Sequence, residues 1–133
     1  MNGWRLVGTL SLLLGVMTLY FAASHGWDME GVRLAIRATA RTSLVLFALA
    51  FTASALVELA PSVATRWQRR NRRYLGVSFA VSHFIHLGAI VALAALDRTL
   101  FWKLTNITTI VFAGTAYLFI AAMTATSFDR TAA

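Results

Sequence analysis

Two histidines, His83 and His86, lie three residues apart within an apolar stretch that runs from Leu75 to Leu96. At 1.5 Å of rise per residue, a helix that starts at Leu75 places them about 12 and 16 Å into a hydrocarbon layer about 30 Å thick. Their spacing puts both rings on one face of that helix, about 60° apart. Ionisable side chains at this depth are rare, face the protein interior and often mark a site for a proton, an ion or a cofactor.

Three roles are open for these two histidines. Each ring could be a neutral hydrogen-bond partner for a hydroxyl group on another apolar segment. The rings could instead form a proton or metal-ion pathway, or they could bind a metal or a cofactor. The hydroxyl groups available for the first role belong to Ser43, Thr52, Ser54, Thr108, Thr109 and Thr115.

Haem is the metal group that best matches these residues. Zinc needs three or four protein ligands, whereas the apolar segments contain no Cys or Asp and only Glu58, near a segment end. Haem needs one or two axial imidazoles, because the porphyrin supplies the other iron ligands. Two histidines on one helical face cannot bind opposite sides of one iron, so a second ligand is expected from another helix. His25 lies at the end of its segment, and Met17 is deep enough, although a thioether there is more often a packing residue.

Composition identifies the class of protein that carries the histidines. Of the 133 residues, 59% are hydrophobic and 13% are charged, which is typical of a membrane protein. Four apolar segments are long enough to cross a bilayer, which takes about 20 helical residues. They cover approximately 6–24, 42–60, 75–96 and 105–127. We therefore predict an all-α integral membrane bundle of four transmembrane helices that forms one domain over 1–133, with the first helix as an uncleaved anchor.

The charged residues indicate how such a bundle lies in the membrane. The net charge of +7 comes from 12 Lys and Arg against 5 Asp and Glu, and the arginines lie between apolar segments, which favours membrane orientation over nucleic-acid binding. The second link, PSVATRWQRRNRRY, carries five arginines and no acid, whereas the first carries three arginines together with Asp28 and Glu30. The positive-inside rule then places the second link and both termini in the cytoplasm. The arginines of the second link would also contact anionic lipid.

The three arginines of the first link form a pattern of their own. Arg33, Arg37 and Arg41 follow one another at four-residue steps in GVRLAIRATAR, so on a helix they would form one cationic stripe. Such a stripe usually extends to lipid headgroups. It could instead bind the carboxylates of a cofactor at the outer edge of the bundle, because the guanidinium fork binds carboxylate bidentately.

The residues around the histidines also resemble a known family. RRYLGVSFAVSHFIHLGAI resembles the third helix of the ferric reductase-like transmembrane family, in which basic residues and a Leu-Gly pair precede membrane histidines that bind haem b. IRATARTSLVLFALAFTASAL is similar to that family's second helix, and ATSFDR is similar to the end of its fourth. The haem-binding subunit of the bacterial methionine sulfoxide reductase system and the membrane domains of NADPH oxidases belong to the same superfamily. The resemblance implies haem b and electron transfer across the membrane.

The resemblance also suggests individual ligands. His86 lies at the distance from Gly76 that matches the family histidine, so it is the first candidate for the haem iron and His83 is the second. The candidates for binding the haem propionates are Arg37, Arg41 and Arg73. Typical family members continue beyond the fourth helix, where their partner histidines lie, whereas this sequence ends in TSFDRTAA. We therefore expect a fragment truncated after the fourth helix, a second ligand from another subunit, or lost haem binding.

These patterns lead to one expected function and two alternatives. The expected function is that of a haem b protein of the bacterial cytoplasmic membrane that passes electrons between donor and acceptor proteins, or from a quinone or flavin donor. The 133 residues include no flavin or nicotinamide domain, so any oxidoreductase activity would depend on a partner for electrons, and a homo-oligomer is a further expectation. The alternatives are a proton or metal-ion pathway and a non-catalytic membrane assembly subunit. Haem absorbance separates the first function from the other two.

Overall fold

The computed structural model describes residues 3–127, which form six helices. In chain order these are α1 (Trp4–Ala23), α2 (Met29–Leu59), α3 (Val63–Arg70), α4 (Arg72–Leu96), α5 (Arg98–Leu104) and α6 (Ile107–Ala125). No strand occurs within this described range, and α1, α2, α4 and α6 are long and apolar enough to cross a membrane. The prediction of an all-α chain with four such helices is therefore confirmed by length and composition.

Helix α2 begins well before the apolar segment that predicted it. It starts at Met29 rather than near Thr42, so it includes the arginine stripe of the first link. Asp28 caps its N-terminus, because the carboxylate accepts hydrogen bonds of 3.1 and 3.0 Å from the backbone N–H groups of Glu30 and Gly31. The link between α1 and α2 is therefore a short turn.

The arginine-rich second link is itself largely helical. Directly after Pro61, the Ser62 hydroxyl accepts a hydrogen bond of 3.1 Å from the Thr65 N–H, and the Thr65 hydroxyl accepts one of 2.9 Å from the Ser62 N–H. This reciprocal capping box starts α3. Helix α3 carries three exposed arginines, Arg66, Arg69 and Arg70. With Arg72 and Arg73 at the start of α4, this end of the bundle carries five arginines.

Helices α2 and α4 pack antiparallel and form the centre of the bundle. The buried hydroxyl groups of Ser43 on α2 and Ser82 on α4 share a hydrogen bond of 2.8 Å. Helix α1 packs against both helices, and the apolar core consists of Leu6, Leu14, Leu46 and Leu75. The α2–α4 pairing decides which residues of α2 lie opposite the histidines of α4.

Helix α1 approaches the first turn of α2 closely at Gly31. A β-carbon built on Gly31 would lie 2.7 Å from the carbonyl oxygen of Ala22 and 3.1 Å from that of Phe21. A residue with a side chain would therefore push the two backbones apart. The absence of a β-carbon at position 31 is what allows α1 to pack this close to α2.

Helix α6 lies at the edge of the bundle. Within the described range Ile120 is its one buried residue. The Tyr117 hydroxyl donates a hydrogen bond of 3.1 Å to the backbone carbonyl of His83. Helix α6 is thus joined to α4 at the level of the histidines, while most of its side chains are exposed, as in a helix surrounded by lipid.

Candidate functional site

His86 lies in the interface between α4 and α2 and is oriented by two oxygen atoms. Its Nδ1 lies 2.9 Å from the Thr39 hydroxyl oxygen and 3.1 Å from the Ile36 backbone carbonyl oxygen. A carbonyl oxygen can only accept a hydrogen bond, so the geometry assigns the proton of the neutral ring to Nδ1. The Nε2 atom then keeps its lone pair, which is the form of histidine that binds a metal ion.

Thr39 fixes the position of the imidazole. Its side chain is fully buried, at 0% exposure, and its hydroxyl donates toward the backbone carbonyls of Ala35, at 2.7 Å, and Ile36, at 3.0 Å. With its proton directed to a carbonyl, the hydroxyl oxygen can accept the hydrogen bond from His86 Nδ1–H. A metal-binding histidine typically has such a partner for its other ring nitrogen.

His83 lies one turn away, on the side of α4 that faces α6. Its ring centroid is 4.8 Å from that of Tyr117, 5.3 Å from that of Phe79 and 5.6 Å from that of His86. Its Nδ1 is buried, and nothing within residues 3–127 forms a hydrogen bond with it. A buried polar atom without a hydrogen bond is costly, so this nitrogen is a second position that a ligand or a partner group could satisfy.

An apolar cleft of about 350 Å³ lies between α2, α4 and α6. Its wall includes Phe47 from α2, Gly76 and Phe79 from α4, and Ile120 from α6. Phe79 lines the cleft, and its ring centroid is 5.3 Å from that of His83, but neither histidine lines the cleft itself.

The arginines predicted to bind propionates do not converge on His86. Arg37 and Arg41 are exposed, and at 3.6 residues per turn they point about 160° away from Thr39 around α2. Arg73 lies in the first turn of α4 with its guanidinium carbon 5.9 Å from the Tyr74 ring centroid, and it precedes His83 by ten residues. That separation is about 15 Å along the helix axis. The sequence pattern had no information on which face of α2 would meet α4.

Five of the six hydroxyl groups predicted as histidine partners form hydrogen bonds elsewhere. Ser43 pairs with Ser82, while Thr52 and Ser54 accept hydrogen bonds from the side chains of Gln68, at 3.4 Å, and Arg72, at 3.0 Å. The hydroxyl groups of Thr109 and Thr115 bond to Asn106 and Val111 near or within α6. The partner of His86 is instead Thr39, which the apolar pattern had left in the first link.

Other candidate ligands lie outside the histidine pair. The Met17 sulfur accepts a hydrogen bond of 3.9 Å from the Thr42 hydroxyl at the α1–α2 contact. His25 is exposed after the end of α1, and Glu58 is exposed near the end of α2. No group of three His, Cys, Asp or Glu side chains capable of holding a metal ion occurs among residues 3–127. His83 and His86 of α4 lie next to each other, with ring centroids 5.6 Å apart.

No family model, curated protein or solved structure matches this chain. His83, His86 and their neighbours are therefore the basis for assigning a function.

Proposed function

We propose that this chain is a haem b-binding membrane protein that passes electrons across the bilayer, with His86 as an axial ligand. The observation that carries the proposal is the hydrogen bond between His86 Nδ1–H and the Ile36 carbonyl. It leaves Nε2 unprotonated on an apolar helix, where an ionisable side chain is a candidate functional group. The sequence resemblance to ferric reductase-like proteins agrees with this assignment.

The residues of the chain have distinct parts in this proposal. The Thr39 hydroxyl and the Ile36 carbonyl hold the His86 ring by its Nδ1–H, which fixes the direction of Nε2. A haem bound to Nε2 would supply the one-electron chemistry, because its iron alternates between two oxidation states. His83 and His86 project from one face of the same helix, so they cannot easily bind a single iron together. A second ligand for the iron would have to come from outside residues 3–127.

The positions of the arginines restrict the proposal. Arg37 and Arg41 are exposed on the far face of α2 from His86, so they suit lipid headgroups better than the propionates of a haem bound at His86. Arg73 lies in the first turn of α4, near α3. It could contact a haem bound at His86 only if the haem extended along α4 toward that end. The proposal therefore rests on the two histidines and Thr39.

The test of the proposal is the reduced-minus-oxidised visible spectrum of the detergent-purified chain. We expect b-type absorption bands after expression with sufficient haem supply. A folded, haem-replete preparation without these bands would contradict the proposal. Proton or metal-ion flux in vesicles would then separate a pathway protein from an assembly subunit.

Replacing Thr39 with valine should weaken haem binding about 10- to 100-fold. Losing the hydrogen-bond partner of a metal-binding histidine typically lowers metal affinity by that factor. Valine keeps the shape of threonine but removes the oxygen that lies 2.9 Å from His86 Nδ1. Haem titration of the purified apoprotein measures the change. Thr42→Val is the matched control, since the Thr42 hydroxyl contacts Met17 and Ala38 instead. Equal losses in the two variants would show that Thr39 has no special relation to the haem ligand.

For orientation, we propose that α3 and both chain termini are cytoplasmic, because α3 and the start of α4 carry the arginine block. The sequence contains no cysteine, so single substitutions can report the side on which a residue lies. In intact spheroplasts a membrane-impermeant maleimide should label Ser24→Cys, which follows α1, but not Ala64→Cys in α3. Labelling of both should occur after permeabilisation. The reverse pattern before permeabilisation would invert the topology.

A further inference from the structure

The cleft between α2, α4 and α6 has an apolar, aromatic interior. The Phe47 ring stacks on Phe51 with centroids 5.6 Å apart and contacts Phe79 with centroids 5.4 Å apart. On the α4 side the cleft is lined by two small residues, Gly76 and Ala80, which leave space in it. A β-carbon built on Gly76 would have no atom within 4 Å. Phe51 is 76% exposed, so the aromatic wall continues to the lipid-facing surface. A flexible hydrocarbon chain could enter this cleft from the bilayer.

One end of the cleft is polar and positively charged. Arg72, the first residue of α4, lines it together with Thr124 and Ser127 at the end of α6. One guanidinium nitrogen of Arg72 donates a hydrogen bond of 3.0 Å to the Ser54 hydroxyl, which places the group at the cleft. Glu58, one turn after Ser54, is exposed and does not line the cleft. No acidic residue occurs between Leu59 and Leu96, and the exposed arginines of α3 lie nearby in the chain. An occupant with an anionic head and an apolar body matches this arrangement.

We propose that the cleft binds an anionic phospholipid from the leaflet that contacts α3. The phosphate contacts the Arg72 guanidinium, which can bind phosphate oxygens through paired N–H groups. One acyl chain lies against Phe47, Gly76 and Ala80. This site is separate from the Nε2 of His86, and the proposal holds whether or not the chain binds haem.

The test is native mass spectrometry of the detergent-purified full chain, titrated with phosphatidylglycerol or with phosphatidylcholine. We expect one phosphatidylglycerol to bind about fivefold more tightly than phosphatidylcholine, the effect of one arginine near an anionic headgroup. Arg72→Gln should remove this preference. Arg69→Gln should keep it, because Arg69 is exposed on α3 and does not line the cleft.

Two further variants and one control test where the acyl chain lies. Gly76→Leu fills the cleft and should weaken the binding of both lipids. Gly88 is an exposed glycine on the same helix, with nothing within 4 Å of an added β-carbon, so Gly88→Leu should leave the binding of both lipids unchanged. Phe51→Ala removes an exposed part of the aromatic wall and should also weaken the binding of both lipids. Circular dichroism confirms that each variant is folded.

Three outcomes would overturn the proposal. An equal loss of the preference for phosphatidylglycerol in Arg72→Gln and Arg69→Gln would mean that all the arginines at this end of the bundle attract anionic lipid together. Unchanged lipid binding in both Gly76→Leu and Phe51→Ala would place the acyl chain outside the cleft. Displacement of the lipid by haem, one for one, would assign the cleft to the porphyrin.

Discussion

Replacing His86 with alanine is expected to reduce the b-type absorption bands of the purified chain to background. The variant removes the imidazole whose Nε2 lone pair is set by the Nδ1–H bond to the Ile36 carbonyl, 3.1 Å long. His83 is not expected to take its place, because its ring packs against Phe79 of α4 and Tyr117 of α6 and its Nδ1 has no hydrogen-bond partner among residues 3–127 to orient it. The reduced-minus-oxidised spectrum, scaled to protein concentration, measures the loss directly.

His25→Ala is the matched control for this experiment. His25 is exposed after α1 and its Nδ1 lies 3.0 Å from the Ser24 hydroxyl, so removing it changes the histidine count without touching the bundle. Its spectrum should equal that of the unchanged chain. His83→Ala should retain bands but alter their position or intensity, since its ring packs beside His86. Full bands in His86→Ala, or bands lost equally in His25→Ala, would contradict the assignment of His86 as the ligand.

The apolar segments of the sequence predicted four membrane-crossing helices but not how far α2 extends. Apolar runs report the part of a helix that can lie in hydrocarbon. The preceding GVRLAIRATAR is rich in good helix formers and follows a capping Asp28, so the helix continues through it although it is charged. Helix propensity and capping, rather than hydropathy, determine where α2 starts.

The same distinction explains why Thr39 was not predicted as the partner of His86. Position 39 lies outside the apolar run near 42–60, and only the antiparallel register of α2 on α4 brings it opposite His86. The Ser43–Ser82 bond fixes that register one turn further along. A sequence specifies which residues share a helical face, but the pairing of faces depends on side-chain packing between helices far apart in the chain.

The arginine stripe illustrates the limit of periodicity in another way. Four-residue spacing correctly indicated that Arg33, Arg37 and Arg41 share one helical face, and all three are exposed. The buried residues of α2, such as Ala35, Thr39 and Leu46, lie on its opposite side. Periodicity alone contains no information about which side of α2 faces the histidines, so the propionate-binding role of Arg37 and Arg41 stays a prediction.

Replacing Gly31 with leucine is expected to lower the free energy of unfolding by about 1–3 kcal/mol, the usual cost of forcing extra atoms into a packed contact. The new β-carbon would lie 2.7 Å from the Ala22 carbonyl oxygen and 3.1 Å from that of Phe21. Both atoms belong to backbone, so relief requires α1 to move away from α2 rather than a side chain to rotate. Reversible unfolding in mixed detergent micelles, followed by circular dichroism, measures the change.

Gly8→Leu separates this clash from the general effect of replacing a helical glycine. Gly8 lies within α1, is exposed, and has nothing within 4 Å of an added β-carbon. There leucine should leave stability unchanged or raise it by up to about 1 kcal/mol, because glycine is the poorer helix former. Equal effects at the two positions would show that the α1–α2 contact tolerates a side chain. A loss confined to Gly31→Leu, accompanied by weaker haem binding, would show that α1 also keeps α2 in the register that joins Thr39 to His86.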